Sequence, residues 1–217
     1  MKPFKLYYPV KPWINFQKFG VCHPVVCHIY KKQLGLDGHN GIDAVAKHGQ
    51  IVRASHDGIV TFAGEDGSAG YGVVVRTLDK HEYNEPKVGE AYYKSIYWHL
   101  LSDGIKVRAG QKVKTGDVIG LADSTGISTG DHLHFGVKPM YKGEKDWEWW
   151  NAEQNNGFKG AIDPEPFFTG THAEDIYKKP KPSVQFDEAA DKAEAEGNAG
   201  SAKLFRALAF VMRLQGR

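Results

Sequence analysis

The sequence predicts a mainly β protein, with a compact core of antiparallel sheet and a helical tail at its C-terminal end. The chain has 25 glycines among its 217 residues, and glycine reaches the backbone angles that tight turns between strands require. From residue 38 to about residue 137, short apolar runs rich in Val, Ile, Thr and Tyr are separated by glycine. Runs of this kind are typical of antiparallel strands, and no convincing amphipathic helix interrupts them.

Composition and charge exclude several classes of protein. Hydrophobic residues make up 41% of the chain and charged residues 25%, as in an ordinary globular domain. The net charge of +2 gives no sign of a nucleic-acid partner. No apolar run approaches the ~20 residues of a membrane-spanning helix, and the first residues, MKPFKLYYPVKPW, lack the apolar segment of a signal peptide. We therefore expect export by cell lysis, through a holin or within a virion, or a chain whose signal has been removed.

The chain is expected to divide into four segments. Residues 1–37 show little periodicity and predict an irregular lead-in, whereas residues 38–170 hold the strand-like runs and form the main domain. Residues 171–200 are polar and poor in large hydrophobic residues, which predicts a linker with room for a short helix. A polar insertion late in the main domain carries Trp147, Trp149 and Trp150. Their indole rings are either a platform for sugar rings or a cap on the open end of the sheet.

The last segment, residues 201–217, predicts a basic amphipathic helix. On a helical projection, basic residues group on one side and apolar residues on the other: Lys203, Arg206, Arg213 and Arg217 against Leu204, Leu208, Val211 and Met212. Such a helix can lie on an anionic membrane surface or polymer, or dock in a protein groove. It can equally pack back on the core or on a second chain, and both interpretations stay open.

The two cysteines and several histidines are expected to have no functional role. Cys22 and Cys27 predict two reduced, partly buried thiols, with a local disulfide as the alternative. A metal site that joins them to His23 and His28 matches no standard zinc module. Polar surroundings predict surface positions for three further histidines: His48, His56 and His81.

Five residues form the candidate site for metal binding and catalysis. The segment GHNGID contributes His39 and Asp43, GDHLHFGV contributes His132 and His134, and YWHLL contributes His99. Residues i and i+2 of a strand point to the same face, so His132 and His134 can reach one site. Two imidazoles and one carboxylate suit catalytic zinc, which lowers the pKa of a bound water to about 7. A further histidine beside the metal can move the water's proton or stabilise an oxyanion.

The segments around these residues resemble the lysostaphin-type, or LytM-domain, zinc metalloendopeptidase family of peptidoglycan hydrolases. The resemblance runs from GHNGIDAVAKHGQIVRASHDGIVTFAG through YGVVVRTL and YWHL to VRAGQKVKTGDVIGLADSTGISTGDHLHF and IDPEPF, over about residues 38–168. It implies a β-sheet or β-roll core with a groove over the zinc. It also implies hydrolysis of peptide bonds in the stem peptides or cross-bridges of bacterial peptidoglycan. Asp131 stands where the family often has proline, and Trp98 where a small residue is common.

The resemblance implies a role for each residue of the candidate site. His39, Asp43 and His134 match the family's zinc ligands, with one zinc per chain, and His99 and His132 match the pair that handles the water proton and the tetrahedral intermediate. All five positions hold the expected residue type, which argues against a non-catalytic member. The family's substrate implies action at the cell wall, in an extracellular or periplasmic location. A phage or prophage lysin, or endolysin, is one form that such an enzyme takes.

Two alternative functions stay open. A zinc peptidase of the same fold can act on a protein other than peptidoglycan. The segment VRAGQKVKTGDVIGLA also resembles the hairpin of biotinyl and lipoyl carrier domains, which are non-enzymatic. A carrier needs a modifiable lysine at a hairpin tip flanked by hydrophobic residues, which we do not find, and it has no use for the five site residues.

Overall fold

The computed structural model describes residues 2–24, 26–83, 89–143, 145, 149–176 and 182–214. The chain divides into two compact units, residues 1–177 and residues 178–217. The first unit consists mainly of strands: β1 (Leu6–Tyr8), β2 (Asn15–Gln17), β3 (Ile42–Val45), β4 (Ile51–Arg53), β5 (Gly58–Glu65), β6 (Tyr71–Arg76), β7 (His81–Tyr83), β8 (Gly89–Leu100), β9 (Lys112–Val113), β10 (Val118–Leu121), β11 (His132–Lys142), β12 (Trp149–Asn151) and β13 (Phe168–His172). One short helix, α1 (Ala173–Ile176), follows them.

A nine-stranded sheet organises this unit. Its main path runs β2-β3-β11-β8-β6-β5-β9, with β12 beside β11 and β7 beside β8. Every pair in it is antiparallel. Two small sheets pair β10 with β4 and, in parallel, β1 with β13. The prediction of a mainly β, antiparallel fold is therefore confirmed, and between residues 38 and 137 the described part of the chain contains no α-helix.

The hydrophobic core lies against one face of the large sheet. Side chains of a strand alternate between the two faces, and along β11 the fully buried residues Leu133, Phe135 and Val137 point into the core. The intervening His132 and His134 therefore point to the opposite face. The sequence alternation of β11 thus separates the packing residues from the residues with metal-binding chemistry.

The lead-in, residues 1–37, is more regular than the sequence indicates. It contributes β1, β2 and a π-helical turn at Ile29–Leu34. Phe4, Leu6 and Val10 are buried in the same core as the large sheet. Strands of three residues are too short to show a period in sequence, which explains why this segment looked irregular. The boundaries of the four predicted segments stay predictions.

A disulfide joins Cys22 to Cys27 in the lead-in. The prediction of two reduced thiols is therefore wrong, and the alternative of a local disulfide is what the structure contains. The loop between the two cysteines is short, but it brings their Cα atoms to 4.8 Å from each other. This separation lies within the range that a disulfide spans. Because both sulfur atoms are bonded to each other, they are not available for the metal site considered above.

The second unit is a pair of helices, α2 (Pro182–Ala195) and α3 (Ala199–Leu214). The predicted linker thus contains a helix of 14 residues. Ala190, Ala193 and Ala202 are buried, and Arg206 bonds to Asp191 and Glu194 at 3.0 and 2.9 Å, so α3 packs on α2. None of the helices in the described part of the chain is long and apolar enough to cross a membrane.

The amphipathic face predicted for residues 201–217 is only partly described. Leu204 is 59% exposed. The structure does not describe Arg217, nor the side chains of four further residues of the predicted helix: Leu208, Val211, Met212 and Arg213. Contact of this segment with a membrane or an anionic polymer stays a prediction.

His56 is buried, and its predicted surface position is wrong. Its ring contacts Phe4, with 5.4 Å between ring centroids, and its Nε2 atom lies 2.8 Å from the Ser95 hydroxyl. Polar neighbours in sequence did not reveal this, because the covering side chain comes from the lead-in. His48 is exposed as predicted, and His81 is half-buried. Burial lowers the pKa of His56 to about 4, since the charged imidazolium would lose its hydration.

The buried His56 predicts a loss of stability in mild acid. Between pH 4 and pH 6.5, His56 is protonated in the unfolded chain but remains neutral in the folded protein. The free energy of unfolding therefore falls as the pH is lowered through this window. The full effect is about 3 kcal/mol. Urea titrations of chelator-treated protein should show a weaker pH dependence for His56→Gln than for the wild type. Equal slopes for His56→Gln and the wild type would contradict this assignment.

Candidate metal centre and active site

Pairing of β3 with β11 brings the first three site residues together. His134 on β11 is the direct cross-strand partner of Asp43 on β3. His39 precedes Asp43 by four residues, in the turn that leads into β3. A cross-strand pair on one face holds its Cβ atoms about 5 Å apart, close enough for both side chains to share a ligand. The strand register therefore determines the site.

His39, Asp43 and His134, the His/Asp cluster, point three atoms at one another. The His39 Nε2 atom lies 2.9 Å from His134 Nδ1, and each lies 3.0 Å from Asp43 Oδ1. All three side chains are buried. Ligand atoms of a tetrahedral zinc site are separated by about 3.3 Å, a few tenths of an ångström more. The three residues can therefore hold a metal ion between them.

The protonation states of the cluster also suit a metal. The His39 Nδ1 atom lies 3.2 Å from the Lys18 carbonyl oxygen, and this contact turns Nε2 of the ring toward Asp43. Burial alone raises the pKa of Asp43, but hydrogen bonds from His134 and His39 outweigh it and hold the pKa well below its usual value. Burial lowers the pKa of His134. Neutral imidazoles and an ionised carboxylate are the forms that coordinate a metal ion.

A glycine allows His134 to occupy its position. A Cβ atom at Gly41 would lie 2.7 Å from the His134 ring and 2.6 Å from the Phe135 carbonyl oxygen. Neither contact is tolerated, because one atom is backbone and the other belongs to a buried ring. The glycine in GHNGID is thus needed for the close approach of the turn to β11.

His99 and His132 stand beside the cluster with the same orientation. The Nδ1 atom of His99 donates to the Thr125 carbonyl at 2.7 Å, and that of His132 donates to the Gly130 carbonyl at 2.8 Å. Each imidazole therefore turns Nε2 away from its backbone partner, and His132 Nε2 lies 3.6 Å from Asp43 Oδ1. The two ring centroids are 4.6 Å apart. Burial, followed by the charges of His134 and His132, lowers the pKa of His99 to about 4, so His99 is neutral at pH 7.

A β-bulge directs His99 into the site. Strict alternation along β8 would place His99 on the core face with Tyr97, which is fully buried. Between the pairs Val73–Tyr97 and Tyr71–Leu100, however, β8 has one residue more than β6. His99 has φ +61°, a left-handed conformation that is uncommon for a residue other than glycine. Bulges of this kind redirect a side chain, and here both Trp98 and His99 face the groove.

The five residues lie on the floor of an open groove of about 440 Å³. One wall comes from the lead-in, with Phe16, Val26, Ile29 and Tyr30 among its lining residues. Another wall includes Trp98, whose ring lies over Gly72, where a Cβ would come within 1.7 Å of it. Trp98 therefore shapes this wall of the groove.

The structure brings together all five residues that the sequence nominated: His39, Asp43, His99, His132 and His134. Their division into metal ligands and proton-handling residues stays a prediction. Two contributors were not nominated. Lys18 orients His39 through a backbone carbonyl, which no side-chain pattern reveals. Tyr30 lies beside His39 with 5.8 Å between ring centroids, and burial together with Asp43 raises its pKa to about 12.

The fold and the site define a β-rich domain with a His/Asp cluster that could hold a metal ion in an open groove. The chain belongs to peptidase family M23, whose sequence profile matches residues 37–146. The catalytic domain of the antimicrobial peptidase lysostaphin from Staphylococcus simulans has a similar fold. It is 24% identical, with a TM-score of 0.50 over 71% of this chain and 91% of that domain. The predicted lysostaphin-type family is therefore confirmed.

Two curated relatives indicate the range of proteins that this chain resembles. The DD-carboxypeptidase/endopeptidase Mpg of Neisseria meningitidis is 39% identical over 97 residues, 45% of this chain and 19% of the relative. The murein hydrolase activator NlpD of Salmonella dublin is 36% identical over 107 residues, 49% of this chain and 24% of the relative. The chain thus spans about a fifth to a quarter of the length of these relatives.

Proposed function

We propose that this chain is a zinc-dependent endopeptidase that hydrolyses peptide bonds in the stem peptides or cross-bridges of bacterial peptidoglycan. One observation carries the proposal. Five residues suited to metal-assisted hydrolysis converge on the floor of a groove that is open to an extended peptide. The similarity to an endopeptidase supports the reaction, and the similarity to a murein hydrolase activator supports peptidoglycan as the substrate and the cell wall, outside the cytoplasmic membrane, as the place of action. A phage or prophage lysin is one setting for such an enzyme.

In this proposal His39, Asp43 and His134 hold one zinc ion. When bound there, zinc would supply a nucleophilic water at neutral pH and polarise the scissile carbonyl. Because their Nδ1 atoms bond to backbone carbonyls, His99 and His132 leave their Nε2 atoms beside the cluster, where either can accept the proton that the water would lose. An imidazole protonated in this way becomes a donor, which can stabilise the oxyanion or protonate the leaving amine. The carbonyls of Thr125 and Gly130 keep both rings oriented throughout.

The similarity to a murein hydrolase activator favours a second candidate, a protein that binds peptidoglycan and activates another hydrolase. The same groove would then serve for recognition alone. The closely spaced ligand atoms of the His/Asp cluster, and the two oriented histidines beside it, argue for the enzyme instead. A pure binding module has no need of two oriented imidazoles next to a metal site.

Zinc content and lytic activity measured on one preparation test the proposal. We expect about one zinc per chain, release of peptides from purified sacculi, and loss of this release with a chelator followed by recovery on addition of zinc. Mass spectrometry of the fragments identifies the bond that is cut. Zinc binding without cleavage, combined with faster lysis by an added hydrolase, would favour the activator. Absence of zinc binding would refute the metal site.

A further inference from the structure

Three cationic side chains form a row across the groove face of the sheet. Lys138 on β11 is the cross-strand partner of Lys94 on β8, which is in turn the partner of Arg76 on β6. Cross-strand partners share a face and hold their Cβ atoms about 4.5–5.5 Å apart, and like charges placed in this way are destabilising. The core does not need such a row, because these residues point away from it. A destabilising arrangement on the face that carries the site calls for a ligand of opposite charge.

The two lysines of this row belong to the groove. Lys138 lies four residues from His134 on the same face of β11. Lys94 lies four residues from Trp98 on the same face of β8. Both line the groove, together with the exposed Lys159. Arg76 is covered instead, since its guanidinium carbon lies 3.6 Å from the ring centroid of Trp149. Apart from Asp43 of the His/Asp cluster, the described groove lining contains one acid, the exposed Asp66.

The ammonium groups of Lys94 and Lys138 are partly buried, and the exposed Asp66 attracts Lys138 without forming an ion pair with it. Neither forms a hydrogen bond or an ion pair with any part of the chain that the structure describes. Burial lowers the pKa of Lys94, and burial together with the nearby Lys94 and Lys159 lowers that of Lys138 to about 8. Fully buried cations are normally paired, and burial of a charge without a partner costs free energy. An anion between these two side chains would offset the free-energy cost of their burial and of their mutual repulsion.

We propose that Lys94 and Lys138 form a subsite for a carboxylate, so that the preferred substrate is a peptide with a free carboxylate on one side of the scissile bond. This inference rests on the endopeptidase function proposed above. Four residues of strand separate Lys138 from His134, which corresponds to about 13 Å. An extended peptide covers that distance with about four residues, and fewer where the lysine side chains lean toward the metal. The subsite would therefore bind a carboxylate that lies a few residues away from the bond that is cut.

Binding of one ligand in two charge states tests the subsite. Cross-linked muropeptides from sacculi are used with free carboxyl groups, or after conversion of these groups to amides with carbodiimide and ammonium chloride. Affinity is measured by calorimetry on the zinc-loaded full-length His132→Ala chain, which should bind the ligand without consuming it. We expect amidation to weaken binding about 10- to 100-fold, the effect of a lost charged hydrogen bond.

The double change Lys94→Met and Lys138→Met should lower the affinity for the free-carboxyl ligand to that for the amidated ligand. Lys112→Met, which removes an exposed lysine on β9, should keep the preference. The double variant should also unfold at the same temperature as its parent or higher, because it relieves like-charge repulsion, and this excludes a folding defect.

Equal affinity of the parent for both ligands, a preference that survives in the double variant, or no binding of either ligand would overturn the subsite. Cleavage by the wild type is measured separately on the same muropeptides. A carboxylate preference in binding without any cleavage would refute the endopeptidase and leave the subsite standing. Cleavage of both ligands at equal rates, with equal affinities, would refute the subsite and leave the endopeptidase function standing.

Discussion

His134→Ala is expected to abolish both zinc binding and peptide hydrolysis. The His134 Nδ1 atom lies 2.9 Å from His39 Nε2 and 3.0 Å from Asp43 Oδ1, so its removal would leave two of the three proposed protein ligands. Substitution of an outer-shell partner already costs about 10- to 100-fold in metal affinity, and loss of a direct ligand should cost far more. Mass spectrometry of the metal content after dialysis, combined with turbidity of a sacculus suspension, measures both losses.

His81→Ala is the matched control for this change. It removes a histidine on β7 that lies outside the groove and belongs to no group of described residues that could hold a metal ion, so zinc content and lysis should remain normal. A His134→Ala chain that retains one zinc would show that the metal binds elsewhere. A chain that loses the zinc but still lyses sacculi would refute the zinc mechanism.

His132→Ala should retain zinc and lose roughly 10²- to 10⁴-fold in turnover, the usual scale for a lost acid–base group. The reason is geometric. His132 Nε2 lies 3.6 Å from the nearest cluster oxygen, whereas the three cluster atoms lie within 3.0 Å of one another. The group of described residues whose ligand atoms all lie close enough to share an ion comprises His39, Asp43 and His134 without His132, so we expect His132 to stand beside the metal. Turnover of a soluble cross-linked muropeptide, with zinc determined on the same sample, measures the two effects separately.

Ser128→Ala provides a graded comparison for this prediction. The Ser128 hydroxyl lies 3.3 Å from His132 Nδ1, but the Gly130 carbonyl accepts from the same atom at 2.8 Å. Its removal should therefore cost much less than removal of the imidazole. Normal turnover in His132→Ala would overturn the proton-handling role, and loss of zinc would make His132 a ligand.

Strand alternation made part of the site predictable from the sequence. Two histidines spaced i and i+2 must share a face, so the joint orientation of His132 and His134 follows from the letters alone. The orientation of His99 does not. Alternation would assign it to the core with Tyr97, and the bulge that redirects it depends on how β8 pairs with β6.

Other features depend on contacts between segments that are distant in sequence. Lys18 acts through its carbonyl, and His56 is buried by Phe4, so neither has a local pattern. The opposition of Lys94 and Lys138 requires the register of β8 on β11, and a slip of one residue would move either side chain to the other face. Register is a property of the folded sheet, which single-sequence patterns do not specify.

The parallel pairing of β1 with β13 has a consequence for how the protein is made. It joins Leu6 to Phe168, so the contact that closes the first unit links segments from its opposite ends. Pairings this distant form late and slowly, because the entropy of closing a long loop must be overcome first. On the ribosome, His39 and Asp43 emerge well before His134, and all three emerge before β13. We expect metal capture to accompany the final closure of the unit after its synthesis, and to make that closure harder to reverse.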